Sequence, residues 1–163
     1  MAIRIRLARA ADNAQLAAIW NPEALATAAT TETEARTPAA QRAWLRAHGA
    51  EYPVVVAAEG NEVLAFGALA PYRPKPSYRR TVEDSVYVKE GYRGKGLGSL
   101  VLDRLVSLAR ARGYHSMIAR VTGENEASQR LHERHGFVRA GVERDAAYKL
   151  GRWLDVVTLQ LML

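Results

Sequence analysis

The stretch V-Y-V-K-E-G-Y-R-G-K-G-L-G-S-L, residues 86–100, decides the fold. Val86-Tyr87-Val88 closes a β-favouring run that starts near Arg80. Gly91, Gly94, Gly96 and Gly98 then crowd into one loop. Leu97, Val101, Leu105 and Leu108 follow at the spacing of one helical face, and Gly113 ends that helix. Tyr114–Val121 reads as the next strand. A strand, a loop, a crossover helix and a second strand make one unit, and its two strands should pair in parallel. Glycine lets the backbone take positive φ and approach a ligand closely. The helix start behind it offers unpaired N–H groups and a positive dipole end, and Arg93 and Lys95 add charge. These features suit a pyrophosphate. A plain flexible turn fits the spacing equally well. No G-x-x-x-x-G-K-[ST] is present, and a dinucleotide fingerprint would open the first strand–helix turn rather than follow several strands.

Working outward, Ile3, Ile5 and Leu7 alternate with Arg4 and Arg6, which predicts a first strand. Asp12 is placed to cap a helix that Asn21-Pro22 should interrupt near Trp20. Thr37-Pro38 is a cap followed by proline at the first helical position, opening a helix to about His48. Pro53–Glu59 and Val63–Ala70 form a hairpin about Gly60-Asn61. The segment Y-R-P-K-P-S-Y-R-R, 72–80, is a basic loop. Asn125–His135 is a helix stopped by Gly136, and strands near Phe137–Tyr148 and Trp153–Leu161 close the chain. Strands and helices mix throughout, so the expected class is α/β, a mixed sheet flanked by helices, with 1–163 as one domain.

Composition narrows the chemistry. The chain has no cysteine, which excludes disulfides, thiolate metal sites and cysteine nucleophiles. The four histidines make no H-E-x-x-H, so no metal is expected. No apolar run reaches the ~18 residues of a membrane span, and the charged N-terminus lacks a signal-peptide core, so the expected location is cytoplasmic. The net charge is +6 and uneven: residues 1–72 carry 6 basic and 7 acidic side chains, residues 73–163 carry 17 and 10. The basic part attracts anions, and composition leaves open a nucleic acid or a phosphate-bearing cofactor.

R-G-K-G-L-G, 93–98, resembles the R/Q-x-x-G-x-G/A loop of the GNAT superfamily of N-acetyltransferases, in which that loop holds the pyrophosphate of acetyl-CoA. N-E-A-S-Q-R-L-H-E-R-H-G-F, 125–137, resembles the family's helix that begins with a CoA-contacting asparagine and ends in G-F. T-V-E-D-S-V-Y-V (81–88), R-L-H-E (130–133) and Y-K-L-G-R-W-L-D-V (148–156) are similar to the phosphinothricin and methionine sulfoximine acetyltransferase subgroup, as is Y-P-V-V-V-A from residue 52. The likeness covers nearly the whole chain.

The resemblance implies the GNAT fold and transfer of acetyl from acetyl-CoA to the α-amino group of a small amino acid or analogue, by direct attack in a ternary complex. Phosphinothricin, methionine sulfoximine and methionine sulfone are the implied acceptors. A protein N-terminus or a polyamine is the alternative within the fold, and a basic nucleic-acid-binding module the alternative outside it. Relatives are often homodimers. In the family the backbone of Val86, Tyr87 and Val88 pairs with the pantetheine arm. Arg93, Gly94, Lys95, Gly96, Leu97, Gly98 and Ser99 then surround the phosphates, and Asn125 touches the cofactor while capping its helix.

Glu83 shares a strand face with Tyr87. On strand chemistry alone it reads as a surface carboxylate beside an arginine; the T-V-E-x-S-V-Y-V match makes it the general base. Asp84 points to the other face and should be solvated. Asn125, Ser128 and His132 lie on one helix face. His132 stands where many relatives keep a thiolate-protonating tyrosine, so it is the expected acid. His135 fits a helix-end cap. Arg73 and Tyr78 sit in the basic loop that the family uses to hold the substrate and, with Glu83, are the expected substrate contacts; the Arg73 guanidinium suits a carboxylate or phosphinate, while Arg79 and Arg80 read as solubilising. Trp153 should pack, and Tyr148 to Asp155 have no assigned chemistry. Thr31 and Ala35 depart from the subgroup's T-F-x-T-E-P, which leaves the exact amino acid open.

Overall fold

The structure is a computed structural model that describes residues 2–163. Seven strands form one sheet in the order β1-β2-β3-β4-β5-β7-β6. They are β1 (Ile3–Leu7), β2 (Val54–Glu59), β3 (Glu62–Pro71), β4 (Thr81–Val88), β5 (Ser116–Thr122), β6 (Val138–Lys149) and β7 (Arg152–Met162). Four helices accompany them: α1 (Asn13–Ala26), α2 (Pro38–Ala47), α3 (Leu97–Ala111) and α4 (Glu126–Arg134). The mixed α/β sheet read from the sequence is therefore present, in the same element order.

Only β4 and β5 run parallel among the described strands, because α3 carries the chain back between them. Their pairing is short: it starts at Thr81↔Ser116 and stops at Asp84↔Ala119. Beyond that point β4 stays bonded to β3 as far as Ala65↔Val88, while β5 stays bonded to β7 as far as Thr122↔Val156. The sheet thus splays into a V whose apex is Asp84 and Ala119. The edge of Ser85–Val88 that faces β5 is left without a strand.

Each sheet face has its own core. One packs α3 through Leu97, Val101, Leu102 and Leu105 onto Val55, Val82, Met117 and Leu159. The other packs α1 through Leu16, Ile19 and Trp20 onto Val54, Val56 and Phe66. Gly67 lets α3 lie close: a Cβ there would meet Val101 Cγ1 at 2.7 Å and the Ser85 carbonyl at 2.8 Å.

Local chemistry accounts for two helix starts. The Thr37 side chain accepts from Ala40 N–H at 3.1 Å, and Pro38 opens α2. The Asn125 side chain accepts from Ser128 N–H at 3.2 Å. The first helix corrects the reading: α1 runs through Pro22 to Ala26. Burial of Trp20 and Ala24 on either side of Pro22 holds the helix together across the missing N–H. Asp12 does not cap α1 with its side chain. It is buried, with Arg6 held at 2.7 and 2.9 Å and Arg9 N–H at 2.7 Å. Trp153 does not pack inward: it is 60% exposed on β7 and meets Tyr148 edge-on.

Candidate active site

A cleft of about 240 Å³ opens at the splay. Its walls are β4 from Glu83 to Tyr87, β5 from Ala119 to Thr122, the start of α4, and the loop after α1.

The glycine loop sits at the far end of the open β4 edge. Gly91, Gly94 and Gly96 have φ of 82°, 75° and 80°, and a Cβ added to any of them would meet nothing within 4 Å. The loop is an open concavity of backbone, not a packed turn. Gly96 is the N-cap of α3 and carries no side-chain cap, so the first N–H groups of the helix face outward. This geometry fits a pyrophosphate. Leu97 is buried in the core, so only its backbone is offered to a ligand, and Ser99 is half-buried. Lys95 is exposed, its Nζ 4.8 Å from the Tyr92 ring centroid. The Arg93 side chain is turned from the loop and paired with Glu23 of α1. Val86, Tyr87 and Val88 lie on the open edge, and Phe66 holds the Tyr87 ring.

Glu83 is half-buried in the cleft. Burial pushes its carboxyl above the usual range and Asp84 adds to this; Arg120 and Arg73 pull the other way without cancelling it. A carboxyl group raised in this way is a better proton acceptor than a free carboxylate.

Asp84 is the main surprise. The alternation did send it to the opposite face from Glu83, but α4 covers that face and Asp84 is buried, not solvated. Its Oδ2 lies 2.8 Å from His132 Nε2. His132 Nδ1 lies 2.7 Å from the Ser128 carbonyl, which can only accept, so Nδ1 carries a proton. Nε2 and Oδ2 then share one further proton. Burial, the largest single influence, pulls the imidazole pKa down, but Asp84 and the Ser128 carbonyl together outweigh it and the net shift is upward. Asp84 Oδ1, also buried, has no hydrogen-bond partner. Phe137 meets the imidazole edge-on at 4.9 Å.

His135, by contrast, caps the end of α4 and bonds Asp103 at 3.1 Å. Arg73 and Tyr78 are exposed, with the Arg73 guanidinium 5.0 Å from the Tyr72 ring and 5.8 Å from the Tyr78 ring. Neither lines the cleft, although Arg73 is near enough to act on Glu83.

Two cleft residues were missed from the sequence. Arg36 is sandwiched between Trp20 at 3.9 Å and Trp44 at 4.3 Å. Burial lowers its pKa. Arg120 brings a second guanidinium to the cleft while bonding Glu143. No pattern of spacing marks either, since each meets its partners only through the fold. Among the described residues no group of three or more His, Asp or Glu is placed to hold a metal. No helix among the described residues is long and apolar enough to cross a membrane. Several arginines of the basic half pair with carboxylates: Arg120–Glu143, Arg130–Glu126 and Arg152–Glu124.

A splayed β4/β5 pair with a glycine loop feeding a crossover helix is the arrangement that the acetyl-CoA resemblance implies. The chain belongs to the acetyltransferase (GNAT) family, whose model matches residues 14–137. It is 40% identical over 160 residues to the L-amino acid N-acyltransferase MnaT of Escherichia coli, covering 98% of this chain and 93% of that one. It is 40% identical over 168 residues to the L-methionine sulfoximine/L-methionine sulfone acetyltransferase of Pseudomonas paraeruginosa, covering 100% and 96%. A crystal structure of a phosphinothricin acetyltransferase from Sinorhizobium meliloti in complex with acetyl-CoA matches with a TM-score of 0.95 at 33% identity, over 100% of this chain and 89% of that one.

Proposed function

We propose that this enzyme transfers the acetyl group of acetyl-CoA to the α-amino group of a small amino acid or analogue, of the methionine sulfone, methionine sulfoximine or phosphinothricin type. The observation that carries the reading is the gap between β4 and β5, which closes on Asp84 beside the half-buried Glu83 and has the glycine cradle at its open end. The backbone of Arg93 to Ser99 takes the pyrophosphate, and the free edge of Val86–Val88 takes the pantetheine arm as an added strand. Asn125, at the head of α4, borders the same gap.

No cysteine is available for an acyl-enzyme, so the amine attacks the thioester directly. Glu83 takes one proton from the substrate ammonium. The departing sulfur takes the proton shared by His132 and Asp84, and the second proton that the nitrogen loses as the amide forms restores it through solvent, while Glu83 returns the first to bulk water. Arg73 and Tyr78, on the basic loop beside Glu83, hold the substrate carboxylate. Residues 1–163 act as one domain. Two copies associate through β6, a twelve-residue edge strand with Val138, Val142 and Tyr148 exposed.

The test is a panel of amino acids, polyamines and peptides scored by CoA release with a thiol reagent, free of protein background because cysteine is absent. Turnover of methionine sulfone above the peptides and polyamines is expected. Turnover of polyamines or peptides alone would overturn the assignment.

A further inference from the structure

The stripe that α1 buries is Leu16, Ile19, Trp20, Glu23 and Ala24, so a carboxylate occupies a core position. A buried charge of this kind persists only when it is paired and hydrogen-bonded. Glu23 is 6% exposed, and its partners come from the cofactor loop and from the loop after α1. Oε1 holds the guanidinium of Arg93, the first residue of R-G-K-G-L-G. Oε2 accepts from Thr27 Oγ1 at 2.7 Å, and Ala29 N–H donates to the same hydroxyl at 3.1 Å. The Glu23 carbonyl accepts from Lys149 Nζ at 3.0 Å, and that ammonium also reaches the Thr30 carbonyl at 2.7 Å. Lys149 is itself 4% exposed, and burial lowers its pKa.

These bonds end in the cleft. Ala29, Thr30, Thr31 and Glu32 form its wall opposite β4. The other end of the segment is tied to the same helix: Asn21 accepts from Arg36 N–H at 3.0 Å and donates to the Arg36 carbonyl at 3.2 Å. The segment 27–36 has no regular secondary structure of its own, so its shape depends on these tethers.

We propose that Glu23 is a positioning residue that couples the cofactor loop to the cleft wall formed by the loop after α1. Phosphates seated on the loop backbone hold Arg93 in place. Arg93 then fixes the Glu23 carboxylate, which fixes Thr27 and the wall at 29–32. Binding of CoA thereby prepays part of the ordering of the amine site, and the two ligands bind with positive cooperativity. The Arg93 side chain belongs to this link, and its backbone to the phosphates. The inference rests on the acetyl-CoA reading of the loop.

Amide hydrogen exchange tests it without an amine substrate. CoA added to the wild-type protein should slow exchange in two segments, 93–99 and 27–34, the second by several-fold. In Arg93→Met and in Glu23→Gln, protection at 93–99 should persist and the added protection at 27–34 should disappear. Arg93→Met alone would strand the buried Glu23 carboxylate, so the double variant Arg93→Met/Glu23→Gln, which removes both charges and should give the same exchange pattern, serves should either single variant be unstable. CoA protection at 27–34 that survives in Arg93→Met would overturn the coupling, as would its absence from the wild type. Loss of CoA protection at 93–99 in Arg93→Met would place the side chain on the phosphates and overturn it too. Failure of the acetyl-CoA reading looks different: neither segment of the wild type would respond.

Discussion

Asp84→Asn isolates the buried pair on α4 and β4. In the wild type the imidazole of His132 donates from Nδ1 to Ser128 and shares its second proton with Asp84. The folded protein therefore holds His132 charged to a higher pH than the unfolded chain, whose histidine titrates near 6.5. The sign follows from linkage. The pair's stabilisation is fully present below pH 6.5 and is lost as pH rises through the folded value. Asparagine keeps the shape and can donate to a neutral Nε2, but it removes the charge that opposed burial. Desolvation then pulls the ring pKa down, and the variant loses stability as pH falls below about 6.5. Removing one partner of a buried pair costs roughly 3–5 kcal/mol. For a chain of this length that is roughly 10 °C in Tm at pH 6. Urea denaturation from pH 6 to pH 9.5 should show the deficit shrinking as pH rises, while imidazole NMR should show His132 titrating above 6.5 in the wild type and below it in the variant. A deficit that stays constant with pH, or a wild-type His132 that titrates below 6.5, would refute the shared proton.

Glu83→Gln should lower activity by roughly 10²–10⁴-fold at neutral pH, with the loss shrinking at high pH where the amine is already neutral; a loss that is flat across pH would make Glu83 a positioning group. His132→Ala should lower kcat while leaving the Kd for CoA within a few-fold, whereas His135→Ala should cost mainly stability, on the order of 1 kcal/mol; equal losses of activity in the two would contradict their separate surroundings. Arg73→Lys should raise KM for the amino acid more than it lowers kcat, because it keeps charge and loses the planar fork; an unchanged KM would move the carboxylate site elsewhere, with Arg36 the next residue to change. Gly67→Ala should destabilise by roughly 1–3 kcal/mol, since the added Cβ meets the Ser85 carbonyl as well as α3; an unchanged Tm would mean that α3 moves away freely.

Features that one segment specifies alone were legible in the chain. The glycine loop, the amphipathic face of α3, the Thr37-Pro38 start and the Asn125 cap each depend on residues a few positions apart, and each stands in the structure. The parallel β4–β5 pair followed from them, because a crossover helix permits no other pairing. What the sequence could not supply was the surroundings of a side chain. Strand alternation placed Glu83 and Asp84 on opposite faces, but both faces of this sheet are covered, so period two does not tell buried from wet. Asp84 finds His132 across 48 residues, and Glu23 finds Arg93 across 70. The stripe Leu16, Ile19, Trp20, Glu23, Ala24 was itself hidden, because the reading ended the helix near Trp20, before Glu23. Pro22 misled there: a local penalty was outweighed by packing on Phe66 and Val54 from elsewhere in the chain. Local sequence determined the elements and their order, through short-range sterics and hydrogen bonding. Only the tertiary structure decided which charges were buried together, because desolvation and pairing depend on segments that meet through the fold.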